Sequence, residues 1–94
     1  MKDGEHIGYY SSGLISSVRN YLGGELHGEY INYFTSGNII FKYSYLEGKK
    51  HGEFIDYYSS GEISYKFYYI NDNLVTELEW LCYNRNLKLD LLGL

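Results

Sequence analysis

The sequence matches itself at an offset of 24 residues, which restricts the chain to architectures where one small unit stacks on copies of itself. The copies span residues 4–27, 28–51 and 52–75. Gly4, Gly28 and Gly52 open them, followed in register by Glu5, Glu29 and Glu53, then Ile7, Ile31 and Ile55, then Tyr9, Tyr33 and Tyr57. The columns continue through Tyr10, Phe34 and Tyr58, a Ser-Gly pair at Gly13, Gly37 and Gly61, then Ile15, Ile39 and Ile63, and finally Tyr21, Tyr45 and Tyr69. Composition decides what the unit is. The chain holds 13 tyrosines and 11 glycines but no alanine or glutamine, and Tyr, Ile and Phe fit a pleated, half-buried surface. Its 94 residues form a single domain with one small core, and 45% hydrophobic against 21% charged residues is a globular balance.

Each copy reads as a β-hairpin. Apolar and polar residues alternate through Glu5-His6-Ile7-Gly8-Tyr9-Tyr10, and Ser11-Ser12-Gly13 supplies a tight turn before a return strand from Leu14 to Leu22. Gly23-Gly24, Glu47-Gly48 and Asn71-Asp72-Asn73 are turn chemistry again. The expected fold is all-β: an antiparallel meander of stacked hairpins in a single elongated twisted sheet, about seven strands and roughly 30 Å across.

One face of the outgoing strands carries the Glu, Ile and Tyr columns; the other carries His6, Tyr30 and Phe54, then Gly8, Asn32 and Asp56, then Tyr10, Phe34 and Tyr58. In the return strands, the face of Ile15, Ile39 and Ile63 runs through Phe41, Tyr65, Tyr43 and Phe67, opposite a polar face with Lys42, Ser44 and Lys66. The isoleucine face, with Tyr9, Tyr33 and Tyr57, is the expected principal core. Tyr10, Tyr30, Phe34, Phe54 and Tyr58 are the expected protein-interaction residues, because a tyrosine-type ring buries much area at low entropy cost.

A net charge of −4 and a pI near 5.2 disfavour nucleic acid and anionic lipid, which need clustered Lys and Arg, and favour a basic or neutral protein partner. The single cysteine, Cys82, forms no intrachain disulfide; it is expected to be a small buried residue in a reducing, cytoplasmic setting. His27 and His51 stand one repeat apart, about 10 Å along the sheet, too far to share a zinc ion, and read as solvated turn residues. Glu5, Glu29 and Glu53 occupy equivalent environments, whereas a catalytic carboxylate pair needs unlike ones. The glycines lack the lysine and following helix of a phosphate loop and read as turn glycines. No catalytic, cofactor-binding or metal-ligating residue is assigned, and no enzymatic activity is expected.

The recurring Gly-Glu-x-Ile-x-Tyr-Tyr-x-Ser-Gly-x-Ile, followed by Tyr-Leu-x-Gly-x-x-His-Gly-Glu, resembles the MORN repeat, and more closely its bacterial variant, over residues 4–75. The resemblance implies an elongated sheet of stacked hairpins. It also implies two functions. Bacterial arrays of this kind are associated with YwqK-type antitoxins, which suggests a non-catalytic protein-interaction module, antitoxin- or immunity-like, whose partner is a toxin. Eukaryotic arrays resemble scaffolds linked to membranes, which suggests as the alternative a membrane-associated scaffold binding phospholipid through its aromatic face; the acidic balance weighs against it. The sequence departs from the pattern at His6, where the family places an aromatic, and lacks a glycine at Val75 or Thr76 to open a fourth copy.

Residues 76–94 are expected to form a degenerate capping repeat, with Trp80 and Tyr83 in aromatic positions, Asn84-Arg85-Asn86 as turn and Leu87-Lys88-Leu89 as return strand. A helix competes, because Thr76-x-x-Glu79 is a capping-box pattern and Leu74, Leu78 and Leu81 share one helical stripe. Met1 to Asp3 provide no cap for the first hairpin, and pairing of that edge with a second copy would give a homodimer.

Overall fold

The computed structural model describes residues 3–91, with side chains placed up to residue 86. Residues 1–2, within the segment expected to leave the first hairpin without a cap, and residues 92–94 of the expected capping repeat lie outside the described residues. Seven strands form one open antiparallel sheet in sequence order: β1 Gly4–Tyr9, β2 Ile15–Leu22, β3 Glu25–Tyr33, β4 Ile39–Leu46, β5 Lys49–Tyr57, β6 Ile63–Ile70 and β7 Asn73–Val75. The body measures 51 × 32 × 22 Å. The all-β hairpin meander is thus the observed fold, with one helix, α1 Glu77–Leu91, after it.

The 24-residue period reappears in the backbone. Gly13, Gly37 and Gly61 close the hairpin turns at φ of 93°, 96° and 98°. The leading glycines are different: Gly4, Gly28 and Gly52 lie inside strands at φ of 104°, 103° and 111°, so they are not turn residues. Gly28 and Gly52 sit where the register between a return strand and the next outgoing strand shifts, between Arg19 and Tyr21 and between Tyr43 and Tyr45. At each shift three residues of the outgoing strand face one of the return strand, and the two extra residues need a backbone conformation that L side chains avoid.

Register joins the two sets of faces left separate by the sequence. Directly opposed residues share a face, and the row Ile7, Val18, Ile31, Lys42, Ile55, Lys66 crosses the sheet on one side. On the other side runs His6, Arg19, Tyr30, Tyr43, Phe54, Phe67. The isoleucine face therefore carries the polar residues of the return strands, and the ring columns merge into one aromatic face. Burial divides accordingly: Ile31, Ile55 and Tyr68 are buried on the first face and Phe54 on the second. Tyr9, an expected core residue, is 62% exposed, because β1 has a neighbour on one side only.

The tail corrects the expected fourth hairpin. Thr76 N–H donates to Glu79 Oε1 at 3.0 Å and Glu79 N–H donates to Thr76 Oγ1 at 3.1 Å, a reciprocal cap that starts a helix where the outgoing strand of a fourth hairpin was expected. The expected Leu74, Leu78, Leu81 helical stripe does not form, since Leu74 lies in β7, and Leu78 and Leu81 on α1 are 70% and 54% exposed. Trp80 and Tyr83 pack on the sheet instead. Trp80 stacks on Tyr68 at 6.3 Å, and Trp80 and Tyr83 each meet His51 edge-on at 5.4 Å, so the helix lies on the isoleucine face. Cys82 is exposed, not buried, because it points away from that contact. No helix among the described residues is long and apolar enough to cross a membrane.

Candidate protein-interaction face

The side of the sheet opposite the helix presents rings from four consecutive strands. Tyr30 meets Phe41 edge-on at 5.2 Å, Phe41 stacks on Tyr43 at 4.2 Å and Tyr43 stacks on Phe54 at 4.6 Å. Phe54 then contacts Tyr45 at 5.4 Å and Tyr69 at 4.8 Å, while Tyr65 stacks on Phe67 at 6.0 Å. Lateral contacts bury the centre and leave the flank open: Phe54 is 5% exposed, Phe67 42% and Tyr65 63%.

Polar atoms interrupt this face at defined points. Tyr43 Oη donates to Asp56 Oδ1 at 2.6 Å. Burial, followed by that bond to a carboxylate, pushes the Tyr43 phenol far above its usual range, and burial also raises Tyr45. Both therefore remain neutral hydrogen-bonding groups. Lys50 Nζ lies over the rings of Phe54 and Tyr69, at 5.7 and 5.1 Å from their centroids. Between Lys50 and Asp56 runs a groove of about 240 Å³, flanked by Tyr45, Tyr69 and Phe67.

Of the residues expected to contact a partner, Tyr30 and Phe54 do lie on this face, with Phe54 at its buried centre. Tyr10, Phe34 and Tyr58 instead close the hairpin turns. Their N–H groups donate to Leu14, Asn38 and Glu62 carbonyls at 2.7–2.8 Å, and their own carbonyls accept from the turn glycines at 2.9 Å. Tyr10 Oη also donates to the Tyr33 carbonyl oxygen of the next repeat, and Tyr58 is 57% exposed. The exposed rings Tyr65 and Phe67 join the face through the β5–β6 register, Phe54 opposite Phe67 and Asp56 opposite Tyr65, which the sequence pattern alone does not fix.

The histidines and glutamates have structural work. His27 Nδ1 accepts from Glu47 N–H at 3.2 Å and His51 Nδ1 from Asn71 N–H at 3.3 Å, so each tethers the turn one hairpin further along and is not merely solvated. Glu29 pairs with Lys42 at 3.7 Å and Glu53 with Lys66 at 3.6 Å. Together with Trp80, the residues Glu29, Lys42, His51 and Glu53 border a cleft of about 320 Å³ under the helix, a gathering that the sequence did not reveal. Among the described residues there is no group of three or more side chains able to hold a metal ion.

No family model, no curated protein and no solved structure matches this chain. The likeness to MORN repeats therefore stands on the repeat columns alone.

Proposed function

We propose that this chain is a non-catalytic protein-interaction module that holds a partner protein against its ring face, in the manner of an antitoxin- or immunity-like protein engaging a toxin in the cytoplasm. The observation that carries this reading is the continuous aromatic band on the side opposite α1, whose flank at Tyr65 and Phe67 stays open. Large rings with polar tips are the residues that concentrate binding energy at protein interfaces. Supporting a non-catalytic role, the Glu29 and Glu53 carboxylates are held by lysines and the Nδ1 lone pair of His51 is used by a backbone amide. The open β1 edge offers a second contact, pairing with another copy of the chain.

The test is affinity capture from the native lysate on the immobilised chain, comparing the parent with a Tyr65→Ser, Phe67→Ser variant and with a Tyr10→Ser, Phe34→Ser, Tyr58→Ser variant. A protein retained by the parent and lost with Tyr65 and Phe67 supports the ring face as the interface. Equal recovery by the parent and the Tyr65, Phe67 variant would remove it. Sedimentation with anionic vesicles, lost on adding salt, would instead favour the phospholipid scaffold.

A further inference from the structure

The third repeat breaks the symmetry of the array at one position on the ring face. The column that is Gly8 in the first copy and Asn32 in the second is Asp56 in the third. Register places Asp56 directly between Phe41 of β4 and Tyr65 of β5's other neighbour, β6. Phe54 precedes it by two residues on the same strand face, and Tyr43 and Phe67 flank Phe54 in the adjoining row.

We propose that Asp56 and the rings around it form a seat for one cationic side chain, an arginine of a basic segment of the partner protein. This rests on the reading of the ring face as an interface. A half-buried carboxylate among rings is costly unless a cation accompanies it. The ion pairs Glu29–Lys42 and Glu53–Lys66 lie on the opposite face, whereas on the ring face Asp56 accepts from the neutral Tyr43 hydroxyl. One charge-assisted partner is therefore outstanding on an exposed flank.

The rings are suited to supply the rest of the seat. An ammonium already sits on this aromatic floor: Lys50 Nζ lies over Phe54 and Tyr69 at the far end of the same groove. At the Asp56 end, the Phe41–Tyr43 stack rises on one side and the Tyr65–Phe67 stack on the other, two strand spacings or about 9.6 Å apart in backbone. A guanidinium lies flat against a ring, donates in-plane hydrogen bonds to a carboxylate and sheds water more readily than an ammonium. The chain's net charge of −4 draws such a segment in, whereas Lys50 repels a cation from its own end and directs it to Asp56.

The seat is tested by amide-detected NMR titration of the whole chain with N-acetyl-L-arginine methylamide, with the uncharged citrulline analogue as control. Saturable shifts at residues 41–43, 54–56 and 65–67, absent with citrulline, are expected. Asp56→Asn keeps an acceptor for Tyr43 and should weaken binding roughly tenfold. Phe67→Leu, at an exposed position, removes one wall without opening the core and should weaken it too, while Lys50→Gln should tighten it. Equal shifts from citrulline, shifts elsewhere on the chain, or unchanged affinity in Asp56→Asn would overturn the seat. If the arginine probe fails while capture of a partner still depends on Tyr65 and Phe67, the seat falls and the interface stands; if capture is indifferent to those rings, the interface reading falls.

Discussion

The Nδ1 atom of His51 accepts the backbone N–H of Asn71 at 3.3 Å, tying the start of β5 to the turn that follows β6. Proton loss is what makes that nitrogen an acceptor, so the tether is sensitive to pH. Burial holds the His51 imidazolium below its ordinary value. The unfolded chain thus takes up the proton first: stability from this group is complete above about pH 6.5 and declines as pH falls through that value, until the folded histidine is itself protonated. Thermal melts between pH 7.5 and 4.5 should show a smaller decline for His51→Phe, which keeps a ring beneath Trp80 and Tyr83, than for the parent. Identical declines would assign the tether no role.

Substituting the leading glycine of the third repeat, Gly52, should hurt more than substituting the turn glycine Gly13. At Gly13, φ is 93° and nothing lies within 4 Å of an added methyl, so Gly13→Ala should cost only the conformational penalty of roughly 1–2 kcal/mol. At Gly52, φ is 111° and the methyl would meet Ser44 Oγ at 3.0 Å and its Cβ at 3.1 Å. Gly52→Ala should lose about 1–3 kcal/mol more, as overpacking does. Urea denaturation of both variants provides the comparison.

Phe54 and Tyr65 test the division of the ring face into a buried centre and an open flank. Phe54→Ala should cost about 3–5 kcal/mol, a large share of the roughly 5–15 kcal/mol available to a domain. Tyr65→Ser, at a residue 63% exposed, should change the melting midpoint little. A comparable loss from both would mean that the flank is also core.

The capping box sets the independence of α1. Thr76→Ala removes the acceptor for Glu79 N–H and should cost about 1 kcal/mol, felt by the helix more than by the sheet. Hydrogen exchange should therefore quicken in residues 77–86 and stay unchanged in β2 to β5.

Much of this architecture was readable because the repeat checks itself. Three copies of the Ser-Gly turn fix hairpin length, and the columns carry strand identity from one copy to the next. What escaped depended on relations between strands. Which return-strand face joins which outgoing face is decided by the register shifts at Gly8 to Tyr9 and its equivalents, and without them Tyr43 and Phe67 could not be placed beside Tyr30 and Phe54. The histidine tethers span twenty residues, invisible to a search for local motifs. At the tail, no glycine at Val75 or Thr76 opens a fourth copy, whereas Thr76 and Glu79 needed only each other to start a helix. Trp80 and Tyr83 then found the cleft beside His51, leaving Leu78 and Leu81 outside.

The most direct test of the ring face as the binding surface is site-specific photocrosslinking in the native host. A benzophenone side chain is placed at Tyr65, at Phe67 or, on the opposite side of the molecule, at Leu78 of α1. The expected result is one protein adduct of the same mass from positions 65 and 67 and none from 78. An adduct from position 78 alone would put the partner on the helix and contradict the account.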